Sequence, residues 1–203
     1  MCRLLCQASA LLRLFWGNEL LRHSPCHHQH AYFWSVEHVI PKSLIQDKTI
    51  QNDLHNLILY PTYINNARSN LKYTESSVES NTTRTTSVVF PCKNCSFPSS
   101  CINHGLTGQF VYSNDISDIN HISDTGDINY NRSTKVGFVP PDLWKGQIAR
   151  ATKTMSSKYP QYRKLIHCKV LDSKLATKWC LSYPPTPIEM KWRNIIKDVQ
   201  DEQ

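Results

Sequence analysis

The chain has 203 residues, with 23 Lys and Arg against 16 Asp and Glu and a net charge of +7. That length suits one domain, or one domain with an inserted module, and no run approaches the roughly 18 apolar residues of a membrane span, so a soluble protein is expected. The basic excess fits a protein that meets a polyanion, because each neutralised phosphate releases counterions, although charge alone fits a solvated basic face equally well.

Residues 1–24 lack an acid before Glu19, and Arg3, Arg13 and Arg22 punctuate a leucine-rich pattern. Three readings compete: a secretory signal, whose apolar centre Arg13 would interrupt; an arginine-bearing, acid-poor transit peptide; or an ordinary helix with its leucines on the core. The sequence leaves the choice open, and with it the localisation. Pro25 to His30 is a histidine-rich linker, and a short cluster of this kind without a second half is usually incidental to metal binding.

Residues 31–36 are aromatic and β-branched, so they read as a strand that delivers Glu37 and His38 at its end. Pro41 cannot donate to a ladder and stops it. Residues 42–52 are polar and loop-like, and Asp53 to Tyr60 turns apolar as a returning strand. Pro61-Thr62 opens a helix on which Asn65 and Arg68, three apart, share a face. The local plan is therefore strand, loop, strand, helix. Its inventory suits phosphodiester cleavage: an imidazole to take a proton from water, side-chain oxygens to hold a hard cation, and a fixed positive charge for a phosphate.

Residues 74–89 are rich in Ser and Thr without apolar periodicity and read as a loop or weak hairpin, with a formal glycosylation sequon at Asn81-Thr82-Thr83. Cys92-x-x-Cys95 and Cys101-x-x-His104 form two half-sites whose turns could point four ligands at one zinc ion. A disulfide or unpaired thiols are the other readings of that loop, and the total of eight cysteines is even. A zinc there would be closed and structural, because four protein ligands leave no place for water. Residues 113–131 repeat a degenerate Asp-Ile unit and read as a low-complexity insertion, the glycine and terminal glutamate of an EF-hand loop being absent.

After Pro140-Pro141 a helix is expected with Asp142 as its cap and Ile148, Ala151 and Met155 as its apolar stripe. A mixed segment fills 161–180. A last helix from Ile188 to Val199 would bury Ile188, Trp192, Ile195, Ile196 and Val199. The expected organisation is a leader or helix over 1–30 and a single domain over 31–203. That domain divides into a core motif over 31–73, a Cys-rich and low-complexity insert over 74–135 and a helical part over 136–203.

Three ordered blocks then resemble the endonuclease I family of His-Me finger (ββα-metal) nucleases. The first is Val36-Glu37-His38-Val39-Ile40-Pro41-Lys42-Ser43. The second is Asp53-Leu54-His55-Asn56-Leu57 with Asn65-x-x-Arg68-Ser69-Asn70, and the third is Phe138-x-Pro140-Pro141 with Lys145-Gly146-x-Ile148-Ala149-Arg150-Ala151. A weaker fourth comprises Trp179, Pro184-Pro185, Glu189, Arg193-Asn194 and Gln200.

The resemblance implies an α+β fold, a ββα-metal core with mostly helical surroundings and an inserted Cys/His loop. It implies a largely sequence-nonspecific endonuclease on DNA, with RNA as a further substrate, acting as a monomer away from membranes. His38 would activate water. Glu37 and Asn65 would hold one Mg2+, for which Mn2+ could substitute. Lys42, Lys48, Arg68 and Arg150 are the expected nucleic-acid contacts, Arg68 also within the catalytic set, although Arg68 fits a helix-surface ion pair nearly as well and Arg150 leans structural. His55 and Asn56 read as supporting residues. Many family members place a longer, cysteine-bearing loop after the Glu-His pair, sometimes with an arginine for the product phosphate; here that loop offers Lys42 and Lys48. The alternative is a catalytically inactive nucleic-acid-binding protein on the same scaffold.

Overall fold

The computed structural model describes residues 34–75, 83–88, 108–113 and 134–201. The N-terminal segment, the Cys92, Cys95, Cys101 and His104 cluster and the Asp-Ile repeat all lie outside the described residues, as does Glu202 onward.

Strand β1 (Trp34–His38) pairs antiparallel with β2 (Leu57–Pro61), with Glu37 opposite Ile58 and His38 opposite Leu57. The loop between them is more ordered than its polarity suggests. A 3₁₀ turn covers Lys42–Leu44, and the four-residue helix α1 (Lys48–Gln51) starts where the Asp47 carboxylate accepts the Thr49 N–H at 2.8 Å. Ile45 and Ile50 supply the buried anchors that its polar neighbours hid. A second 3₁₀ turn, Leu54–Asn56, precedes β2, so the returning strand begins later than Asp53. Helix α2 (Thr62–Arg68) follows β2 directly, with Pro61 at its N-cap, and completes the strand–loop–strand–helix plan.

Residues between 74 and 139 contribute a feature that the sequence reading did not contain. Strands β3 (Thr83–Val88), β4 (Gly108–Ser113) and β5 (Thr134–Val139) form a three-stranded antiparallel sheet in that order. β-Branched and aromatic residues populate these strands, such as Thr85, Phe110, Val111 and Phe138, but the pairing joins segments far apart in sequence. Tyr73 stitches the parts together: its N–H bonds the Val170 carbonyl at 2.8 Å, while the next N–H, of Thr74, bonds the Phe138 carbonyl at 3.0 Å.

The C-terminal part is helical: α3 (Asp142–Lys158), α4 (Arg163–Lys169), α5 (Ser173–Ser182) and α6 (Pro187–Ile196), followed by a π-helical turn over Lys197–Asp201. Pro141, not Asp142, is the N-cap of α3; its fixed φ pre-sets the start, and Asp142 falls in the first turn, where it pairs with Lys145 at 2.6 Å. Ile148, Ala151 and Met155 are buried as expected. Gly146 permits α3 to approach the end of α5, since a Cβ there would sit 2.1 Å from the Tyr183 carbonyl oxygen.

One buried cluster joins Val39, Ile40, Ile58, Tyr60 and Ile64 to Phe138, Trp144, Ile148, Met155 and Trp179. Trp144 is its hinge: its ring meets Tyr60 edge-on at 5.3 Å and its indole N–H donates to the Leu59 carbonyl at 2.9 Å. A second cluster packs Trp192 and Ile196 of α6 on Leu54, Leu57 and Leu59. The helices therefore brace both sides of β2, and β2 holds β1 in place. The result is a mixed α+β fold. Among the described residues no helix is long and apolar enough to cross a membrane.

Candidate active site

A cleft of about 460 Å³ opens at the end of β1 and along α2. Glu37, His38, Lys42, Asn65, Arg68 and Ser69 are among the residues that line it. Pairing of β1 with β2, and the immediate turn from β2 into α2, bring the strand end and the helix face together.

His38 Nε2 is buried without a hydrogen-bond partner among the described residues, and the residue lines the cleft. Burial first, then the nearby Lys42 charge, hold the imidazole down to about 4, against an opposing pull from the Gln51 backbone. It is neutral at pH 7 and free to accept a proton.

Glu37 is buried, 4% exposed. Its Oε1 accepts from Arg68 Nη1 at 2.5 Å and from Tyr73 Oη at 3.1 Å. Burial pushes its carboxyl up to about 7, outweighing the Arg68 charge, the two side-chain bonds and the His38 backbone. Burial also raises the Tyr73 hydroxyl well above its ordinary value, which keeps it a donor.

Asn65 donates its Nδ2 to Ser35 Oγ at 2.8 Å, and its amide oxygen meets no donor among the described residues. At the end of α2, Ser69 sits at φ 52°, a conformation rare for a residue with a side chain, and turns the chain at the rim of the cleft. Two oxygen donors, Glu37 and Asn65, fit a hard cation such as Mg2+, which keeps several waters and needs few protein ligands. Among the described residues no group of three His, Cys, Asp or Glu side chains gathers for a metal.

The expected phosphate contacts are distributed unevenly. Lys42 is exposed at the cleft. Lys48 is exposed on α1 and is not among the cleft residues. Arg68 is 1% exposed and spends its donors internally, on Glu37, the His38 carbonyl at 3.2 Å, the Val39 carbonyl at 3.0 Å and the Leu71 carbonyl at 3.0 Å. That geometry turns it to the protein rather than to a substrate, and it is more deeply buried than the helix-surface pair that was its other reading. Arg150 lies outside the cleft and pairs through two nitrogens with the Glu189 carboxylate of α6, while donating to the Tyr183 carbonyl at 2.6 Å.

Supporting residues explain why the loop after His38 keeps its shape. The Asn56 side chain accepts the Ile40 N–H at 2.8 Å and donates to the Ile40 carbonyl at 3.2 Å, and its own carbonyl accepts the Val39 N–H at 2.9 Å. Next to it, Asp53 receives His55, Tyr159, Lys158 and Gln200. Burial alone would raise the Asp53 carboxyl, but these partners together hold it well below the usual range. Sequence reasoning did not find Tyr73 or Ser35, because neither carries a motif; only the fold places them against Glu37 and Asn65.

A hairpin and helix that set a carboxylate, an imidazole and an amide around one polar cleft have the layout of a hydrolytic site for phosphodiesters. Residues 18–103, 86 of the chain's 203, match the family described as Endonuclease I. Over that span the chain is similar to this family of phosphodiester hydrolases, in agreement with the enzyme class read from the sequence. The first two sequence blocks fall inside it; the blocks at 138–151 and 179–200 fall beyond it. No curated protein and no solved structure matches the chain. Enzymes of that family act on nucleic acid and are generally metal-dependent.

Proposed function

We propose that the protein is a largely sequence-nonspecific endonuclease on DNA, with RNA as a further substrate, working through a ββα-metal site. The convergence of Glu37, His38 and Asn65 on one cleft carries this reading. His38, neutral and lining the cleft, takes the proton from the attacking water. Glu37 and Asn65 would hold one Mg2+, or Mn2+ in its place, which when bound neutralises charge building on the phosphate and its leaving oxygen. Lys42, exposed beside His38, takes the phosphate contact that Arg68 is too buried to make.

The buried cluster that joins β2 and α2 to Phe138 and the C-terminal helices supports reading 31–203 as one domain. The Cys92, Cys95, Cys101 and His104 set is proposed as a structural zinc site on its spacing alone.

Incubation of end-labelled duplexes of mixed sequence with the purified chain tests the proposal. Cuts at many positions with magnesium, absent in EDTA and lost in Asn65→Ala, are expected. Cleavage undiminished in EDTA would overturn the metal role, and cuts confined to one short sequence would overturn the lack of specificity.

A further inference from the structure

The two oxygens of the Glu37 carboxylate have unequal surroundings. Oε1 is occupied by Arg68 Nη1 at 2.5 Å and Tyr73 Oη at 3.1 Å, while no side chain among the described residues donates to Oε2; the only other group acting on this cleft-lining carboxylate by a hydrogen bond is the neighbouring His38 backbone N–H. Both donors are fixed from behind. Arg68 is anchored on the carbonyls of His38, Val39 and Leu71, and its guanidinium lies 4.3 Å over the Tyr73 ring. Tyr73 is fully buried and held at its N–H by the Val170 carbonyl at 2.8 Å. Neither residue can swing away without stranding several buried groups.

We propose that Arg68 and Tyr73 are positioning residues that lock the Glu37 carboxylate and offer Oε2 alone to the divalent ion. The proposal rests on the reading of Glu37 as a metal ligand, and it gives Arg68 a task other than gripping phosphate. A single carboxylate oxygen suits a small six-coordinate ion that keeps its waters. It serves less well for Ca2+, which takes more ligands and accepts bidentate carboxylates. The lock also reaches across the fold, because Tyr73 hangs on the segment that joins β5 to the end of α4.

Calorimetric titration of the full chain with Mn2+, without nucleic acid, tests this in wild type, Tyr73→Phe, Arg68→Lys and Glu37→Gln. Tyr73→Phe keeps the ring beneath Arg68 and deletes only the hydroxyl. It is expected to weaken Mn2+ binding about tenfold, as removal of a group that orients a ligand does, with far-UV circular dichroism and melting temperature preserved. Arg68→Lys keeps the charge but loses the planar fork, and should weaken Mn2+ at least as much. Folded Tyr73→Phe and Arg68→Lys proteins that both bind Mn2+ within twofold of wild type, while Glu37→Gln does not bind, would overturn the positioning role alone. Glu37→Gln binding as well as wild type would instead overturn the ligand assignment beneath it.

Discussion

Replacing Asn56 by Ala removes a side chain that is 1% exposed and bonded to both backbone groups of Ile40, itself 2% exposed. The Ile40 N–H and C=O would then be buried without partners. Each such group costs about 1–3 kcal/mol, so the loss after partial relaxation is roughly 2–4 kcal/mol, a large share of the about 5–15 kcal/mol that holds a domain together. Ile40 follows His38 by two residues, so a loosened loop also blurs the position of the imidazole. Urea unfolding should show the midpoint falling with an unchanged slope, and plasmid nicking at 25 °C should slow more than tenfold under conditions where the variant is still folded. Asn56→Asp keeps the acceptor for the Ile40 N–H but sets a carboxylate oxygen against the Ile40 carbonyl and buries a charge, so at neutral pH it should cost at least as much as the alanine. An alanine variant within about 0.5 kcal/mol of wild type would refute the clamp.

Arg150→Ala leaves buried Glu189 with the more exposed Arg193, 3.3 Å away, as its remaining cation, and should cost about 3 kcal/mol, the low end for a broken buried pair, read as a drop in melting temperature with DNA affinity of the folded fraction unchanged. Asp53 is held below its unfolded value, so its contribution is present above about pH 4 and lost as pH falls through the acid range. Acid unfolding should therefore flatten in Asp53→Asn, at the expense of stability at neutral pH. Glu37, pushed up to about 7, must shed its proton to take a cation, so Mg2+ affinity should weaken about tenfold per pH unit below pH 7. His38, held down to about 4, stays neutral over that range, and the rate profile should show its acid limb near 7 with no separate imidazole limb at 6.5.

The strand–loop–strand–helix plan was legible because each step has a local cause: an aromatic run ending at Val36, Pro41 to bar its continuation, and Pro61 at the mouth of a helix. The positions of Glu37, His38 and Asn65 follow from that plan. The sheet β3–β4–β5 was not legible, since Thr-Arg-Thr-Thr-Ser-Val has no apolar alternation and its stability comes from pairing with segments far away. Arg68 shows a different limit. On a helix surface an arginine near a nuclease motif looks like a phosphate ligand, and only burial by Tyr73 and the strand-end carbonyls shows that its charge faces Glu37. Gln200 is a third case: its amide caps the turn at Leu54 and bonds Asp53 across almost the whole domain, a contact no spacing rule announces.

Nicking of supercoiled plasmid by wild type and His38→Ala, each with magnesium and with EDTA, tests the central claim most directly. Wild type should nick with magnesium and stop in EDTA. His38→Ala should lose at least about a hundredfold in rate, as expected for a missing general base, while still retaining DNA on a filter. Full-rate nicking by folded His38→Ala, or no nicking by wild type with magnesium, manganese or calcium while DNA remains bound, would contradict the assignment.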